Sequence, residues 1–161
     1  MATEHHNLSD IGALPKASED WRIGIVKADW NEEITNGLFN GAKATLLKAG
    51  VLPENIIESI VPGSYELPLG AQWQIEKLDV DAVICIGSVI RGETAHFDYV
   101  CAAVSQGVKD VGLKYNKPVV FGVLTDDNID QSRARSGGKH GNKGDEAAVT
   151  ALHMLALRDS L

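Results

Sequence analysis

Short apolar runs rich in β-branched residues alternate along the chain with longer segments in which apolar residues recur every three to four positions. The first run, "WRIGIVKAD" (residues 21–29), precedes Asn31, a residue suited to cap a helix, and then Ile34, Leu38, Ala42, Leu46 and Ala49 on one stripe before Gly50 closes the segment. The alternation continues. "NIIESIVPG" reads as a second strand, "ELPLGAQWQIEKLD" as a second helix, "VDAVICIG" as a third strand and "HFDYVCAAVSQGVKDVGLKY" as a third helix. "KPVVFGVLT" (residues 117–125) supplies a fourth strand, followed by a short helix around residues 128–135, a glycine-rich loop "SGGKHGNKG" and a closing helix over about residues 145–158.

Strands that are apolar throughout and separated by helices bury both faces, as in a parallel sheet covered on both sides. The pattern predicts a single-domain α/β/α sandwich with a four-stranded parallel sheet, doubly wound in the flavodoxin-like manner. Residues 1–20 read as a loosely patterned arm and residues 21–161 as the domain. No internal repeat, low-complexity tract or linker interrupts it.

Composition narrows the partners. A chain of 161 residues with 44% apolar and 23% charged residues suits one core. Its net charge of -7 argues against nucleic acid or an anionic membrane surface, whereas a small anionic ligand needs only a local basic spot. No apolar stretch approaches the roughly 20 residues of a membrane span. The first twenty residues lack the basic-then-apolar layout of a secretory signal, so a cytoplasmic location is expected. Cys85 and Cys101 read as small core residues rather than a disulfide, and His5, His6, His96, His140 and His153 show no metal-ligand spacing.

In such folds ligands occupy the crevice at the carboxyl ends of the strands. The unusual residues fall there: Asp29, Trp30 and Asn31 after the first strand, residues 62–66 after the second, residues 88–96 after the third, and Thr125, Asp126 and Asp127 after the fourth. Each admits two readings. Trp30 either packs in the core or stacks on a flat heterocycle. Glu66 either favours a helix N-terminus or, with Ser64, holds a polyol.

In "GSVIRGETAHFDYV" (residues 87–100), Gly92 permits a tight turn, Thr94 can cap, and the amides of Gly92, Glu93 and Thr94 suit a phosphate. His96 is either a solvated or capping residue or a group that transfers protons near neutral pH. Arg133, Arg135, Lys139, His140 and Lys143, interleaved with glycines, form either a solvated face or an anion site. "GGKHGNKG" is not a Walker loop, no G-x-G-x-x-G follows the first strand, and "KADWNEE" lacks the hydroxyl- and glycine-rich turn of a flavodoxin.

Taken in order, "VPGSYELPLG", "IGSVIRGETAHFDYV", "VVFGVLTDDN" and "GNKG" resemble the signature segments of the lumazine synthase family, from about residue 21 to the C-terminus. The resemblance implies condensation of 5-amino-6-ribitylaminouracil with 3,4-dihydroxy-2-butanone 4-phosphate to 6,7-dimethyl-8-ribityllumazine, phosphate and water, with no metal or organic cofactor. It implies that Trp30 stacks on the pyrimidine and that Asn31, Ser64 and Glu66, with Tyr65 beside them, hold the ribityl chain. The strand end at Ser88, Val89 and Ile90, the Lys143 side chain and Phe121 complete the implied pyrimidine site. The Gly92, Glu93 and Thr94 amides with Arg135 bind the phosphate in this picture, and His96 shuttles protons.

The resemblance further implies pentamers with each site at a subunit interface, the segment near Phe121 and Arg135 coming from the adjacent chain, and the N-terminal arm joining a neighbour's sheet. Pentamers that stay single, pair or build an icosahedral shell all remain open, the short "SGGKHGNKG" loop being similar to that of shell-forming members. Riboflavin synthase is a further implied partner. The third helix, with Val100, Val104, Val108 and Val111 on one stripe and Phe97, Cys101 and Ala102 elsewhere, is more apolar than one sheet face requires, as expected of a chain with neighbours. Two departures stand out: Asp29 replaces an arginine that many relatives carry, and Trp30 a common phenylalanine. A non-catalytic flavin- or lumazine-binding module and a shell-forming structural protein are the alternative readings.

Overall fold

The computed structural model describes residues 7–10 and 12–161. Strands β1 (Ile23–Ala28), β2 (Ile56–Val61), β3 (Ala82–Ile90) and β4 (Val119–Asp126) form one parallel sheet in the order β2-β1-β3-β4. Helices α1 (Glu32–Lys48), α2 (Leu67–Leu78), α3 (His96–Tyr115), α4 (Ile129–Arg135) and α5 (Lys143–Ser160) connect and cover it. The expected four-stranded sheet and its flavodoxin-like order are present.

Two cores follow from the period of two along each strand. On one face Ile23, Ile25, Ile84, Ile86, Val120 and Leu124 meet Leu38, Ala42 and Leu46 of α1 and Ala148, Leu152 and Leu155 of α5. On the other, Val26, Val83, Cys85 and Val123 meet Leu67, Ala71 and Ile75 of α2 and Val104, Val108 and Val111 of α3. Ile23, Ile25, Ile84 and Ile86 are wholly inaccessible, and each fully buried side chain of this size contributes about 1.5–3 kcal/mol. Cys85 lies in the core on the α2–α3 side; burial pushes its thiol up to about 12, leaving it inert near neutral pH. Gly70 brings α2 against β1, since a Cβ there would lie 2.8 Å from Val26 Cγ1. Gly144 does the same for α5, with the carbonyl oxygen of Leu38 in the space a Cβ would need.

The structure moves three boundaries. β3 runs on to Ile90 rather than stopping at Gly87, because its register with β4 continues from Ser88↔Leu124 to Ile90↔Asp126. Part of the glycine-rich loop is an antiparallel hairpin of β5 (Ser136–Gly138) and β6 (Gly141–Asn142). Gly137 and Gly141 take φ values of 113° and 85°, a backbone that the tight reversal needs and other residues resist. Finally, α5 begins at Lys143, where Asn142 Oδ1 caps it by accepting from the Gly144 N–H at 2.8 Å.

The described part of the arm packs on its own chain. The Leu8 amide donates to His140 O at 2.8 Å, the Asn142 amide donates to Ser9 Oγ at 3.0 Å, and the Ala17 amide donates to Ala49 O at 3.0 Å. The rest of the arm expected to join a neighbour's sheet, residues 1–6 and 11, lies outside the described residues. On α3 the valines at 104, 108 and 111 are buried, yet Tyr99 and Leu113 remain 74% and 75% exposed. Ile60 on the edge strand β2 is exposed too. Among the described residues no helix is long and apolar enough to cross a membrane.

Candidate active site

β1 leads by way of α1 to β2 on one side, while β3 lies on the other, so the winding reverses between β1 and β3 and opens a crevice at their carboxyl ends. Pairing of β1 with β3 ends at Lys27↔Ile86. Residues 88–90 therefore continue beside β4 alone, and their other edge faces a cleft of about 640 Å³ instead of a strand.

The β1–α1 turn supplies Trp30 and Asn31. The amides of Asp29 and Trp30 donate to Val61 O (2.8 Å) and Pro62 O (3.2 Å), prolonging the β1–β2 ladder and fixing the backbone. Trp30 is 72% exposed and lines the cleft, so the packing alternative falls. Asn31 occupies the N-cap position of α1 in the left-handed region (φ 60°, ψ 49°), but its side chain makes no capping bond. Its Nδ2 donates instead to Ser88 O at 3.0 Å, tying the turn to β3.

The β2–α2 turn brings Ser64, Tyr65 and Glu66 to the same cleft. Glu66 Oε2 accepts from the Gly63 amide at 3.0 Å, so its helix-start role is real and also aims the carboxylate. Ser64 is buried against Gly87, where a Cβ would lie 2.6 Å from Ser64 Oγ. Ser88 itself is buried with its hydroxyl unpartnered among the described residues.

From the β3–α3 connection come Gly92, Thr94 and His96, with Val89 and Ile90 at the strand end. Thr94 Oγ1 accepts from the His96 amide at 3.4 Å. The amides of Gly92, Glu93 and Thr94 donate to no backbone acceptor among the described residues and stand at the positive end of the α3 dipole. Glu93 is exposed beside the cleft rather than lining it. Phe97 and Val100, which sequence reasoning had counted only as helix apolar residues, complete the wall; their place in the first turn of α3, after so polar a loop, was the available signal.

Phe121, Arg135 and Lys143 do not line this cleft. Phe121 is half-buried on β4 against the α2–α3 core. Arg135 Nη1 donates to Gln131 O at 3.0 Å, and Lys143 Nζ donates to Glu146 Oε1 at 2.8 Å. Within the cationic cluster, Arg133 is engaged through Nε and Nη2 with the Glu33 carboxylate at 2.9 and 3.0 Å, which holds Glu33 below its ordinary range. Among the described residues no group of three or more His, Cys, Asp or Glu side chains is placed to hold a metal ion.

One wall thus offers an exposed indole, another a hydroxyl and an oriented carboxylate, and a third three successive amides without a backbone acceptor among the described residues, next to an imidazole. That combination stands at the switch point of a doubly wound sheet, the place where α/β folds of this class bind their ligands. Compared with known proteins, residues 20–159 match the model of the 6,7-dimethyl-8-ribityllumazine synthase family, and the chain belongs to that family. Its similarity to proteins named 6,7-dimethyl-8-ribityllumazine synthase spans nearly the whole length. It is 59% identical to that of Cytophaga hutchinsonii over 97% of this chain and 98% of the relative. It is 54% identical to that of Parabacteroides distasonis (96% and 98%) and 53% identical to that of Christiangramia forsetii (98% and 95%).

Proposed function

We propose that this chain condenses 5-amino-6-ribitylaminouracil with 3,4-dihydroxy-2-butanone 4-phosphate to give 6,7-dimethyl-8-ribityllumazine, phosphate and water. The observation that carries the reading is the cleft, where Trp30, the Ser64–Glu66 turn, the free amides of residues 92–94 and His96 share one rim in a chain of this family.

In this reading the pyrimidine stacks on Trp30, its polar edge meets the uncovered backbone of Val89 and Ile90, and its ribityl chain lies along Asn31, Ser64, Tyr65 and Glu66. The phosphate rests on the amides of Gly92, Glu93 and Thr94. The pyrimidine's amine condenses with the ketone to a Schiff base with loss of one water, phosphate leaves by elimination, and ring closure follows with loss of a second water. No protein nucleophile is required. Holding two reactants together and stabilising the departing phosphate provide most of the acceleration, and His96 contributes proton transfer.

Arg135, Phe121 and Lys143 lie off their own cleft, and the reading assigns Arg135 and Phe121 to the cleft of an adjacent subunit in a pentamer. The exposed Tyr99 and Leu113 on α3 and Ile60 on β2 support such neighbours. Riboflavin synthase as a consumer of the product, and the cytoplasm as the compartment, belong to the same proposal. Mixing the purified protein with both substrates should produce lumazine absorbance that disappears when the butanone phosphate is left out. Binding of the product-like ring without turnover would instead favour a non-catalytic module.

A further inference from the structure

Arg91 opens the "RGET" turn, a cation directly before the amides of Gly92, Glu93 and Thr94. The structure spends it elsewhere. Its Nε donates to Asp127 Oδ1 at 3.1 Å, its Nη1 donates to Asp98 Oδ1 at 3.2 Å, and its guanidinium carbon lies 4.1 Å from the centroid of the Phe97 ring. Its amide also donates to Asp126 O at 2.9 Å. Arg91 does not line the cleft, whereas Phe97 beneath it does.

These contacts bracket the turn. One anchor, Asp127, sits at the end of β4; the other, Asp98, is in the first turn of α3; and the stacked face presses on a cleft wall. Between the strand end and the helix start lie five residues, 91–95, of which 92–95 make no side-chain hydrogen bond to the sheet among the described residues. A short polar turn exposed on all sides loses conformational freedom when it must present several amides to one ligand, and that loss is smaller if its ends are already fixed. The planar, five-donor fork of arginine can hold two carboxylates and a ring at once; a lysine cannot.

We infer that Arg91 is a positioning residue that pre-sets the 92–94 amides for a phosphate monoester without contacting the phosphate. The inference rests on the proposed use of that turn as the phosphate site, and it makes Asp127 and Asp98 part of the same device. A direct ligand role for Arg91 gives the opposite sign in one experiment. Asp127→Ala removes a negative charge next to the turn and frees the guanidinium, which would tighten phosphate binding if Arg91 were a ligand. If Arg91 is a clamp, the same change loosens the turn and weakens binding.

The test is titration of the intact protein with inorganic phosphate by calorimetry, for the wild type, Asp127→Ala, Arg91→Lys and Arg91→Ala, with amide hydrogen exchange over residues 92–95 followed in parallel. Because the pairs are exposed, each broken anchor should weaken phosphate by about two- to fivefold, and Arg91→Ala, which loses both carboxylates and the ring, should weaken it more than Arg91→Lys. Exchange over 92–95 should quicken in the same order while affinity for the ribitylated pyrimidine stays at the wild-type value. Unchanged or tighter phosphate binding in Asp127→Ala overturns the inference, as does absence of phosphate binding in the wild type. Failure of the proposed reaction would show differently, as a wild type that binds phosphate through this turn yet forms no lumazine.

Discussion

The side-chain amide of Asn31 donates to the carbonyl oxygen of Ser88 at 3.0 Å, joining the turn after β1 to the strand end where β1 no longer reaches. The bond closes the floor of the switch-point cleft, and it does so from a residue whose φ of 60° is itself unusual for a side chain other than glycine. Asparagine satisfies both demands at once.

Replacing it separates them. Asn31→Gly keeps the left-handed backbone but loses the tie; Asn31→Ala loses both, and the left-handed conformation costs about 1–2 kcal/mol with a Cβ. Both variants should raise the Michaelis constant for the pyrimidine, and Asn31→Ala should unfold at lower denaturant than Asn31→Gly. Equal midpoints would mean that the backbone conformation carries no cost here.

Trp30 presents its ring to the cleft, not to the core. Trp30→Phe should nearly preserve the Michaelis constant for the pyrimidine and Trp30→Ala should raise it, with little change in thermal stability in either variant because the indole is already 72% exposed. A large fall in the melting temperature of Trp30→Ala would return the residue to a packing role.

Arg135 and His96 can be ranked by kinetics with each substrate varied. If phosphate departure dominates, Arg135→Ala should lose more catalytic efficiency toward the butanone phosphate than His96→Ala, since a hydrogen bond to a charged group is worth about 1.5–3 kcal/mol before any transition-state gain. Arg135→Lys should recover part of that loss. General acid-base catalysis can reach about 10²–10⁴-fold, so a silent Arg135→Ala beside a dead His96→Ala would hand the main role to proton transfer.

Most of this fold was legible because its signals are local and repeated. The unbroken apolar runs of β1 and β3 and the helical stripe of α1 each leave a pattern that burial in the structure reproduces. The rim was legible too, since residues that a turn does not need, such as Trp30 and His96, stand out after a strand. What escaped was set by partners far away in sequence. Nothing local extends β3 to Ile90; its pairing with β4 does. The glycines at 137 and 141 read as loop because glycine marks both irregular backbone and a tight hairpin. Arg91 carried no visible role because both its carboxylates, Asp98 and Asp127, are chosen by the fold.

The close crossing of α1 and α5 offers a test of packing alone. A methyl group at Gly144 would enter the space of the Leu38 carbonyl, which is backbone and cannot swing aside. Gly144→Ala should therefore destabilise the protein by about 1–3 kcal/mol despite alanine's better helix propensity, read as a lower melting temperature. A neutral or stabilised variant would mean that the two helices can slide apart cheaply.

Light scattering should find a pentamer or a multiple of one, with Tyr99, Leu113 and Ile60 covered in the assembly. An active monomer at micromolar concentration would sink both the shared-site assignment of Arg135 and the reading of those surfaces.

The edge of β2 bears on how the chain is made as well as on how it works. Among the described residues, a sheet ordered β2-β1-β3-β4 leaves one side of β2 unpaired, with Ile60 exposed, and such an edge is open to pairing with extended segments it meets. In the proposed pentamer, a newly synthesised subunit would be most vulnerable between folding and its first encounter with a neighbour. The length of that interval depends on subunit concentration, so yield of intact protein should be governed by a race between docking, which quickens as subunits accumulate, and strand addition to other extended chains, which does not. Faster synthesis would not simply give more of the same product; it would shift the outcome of that race.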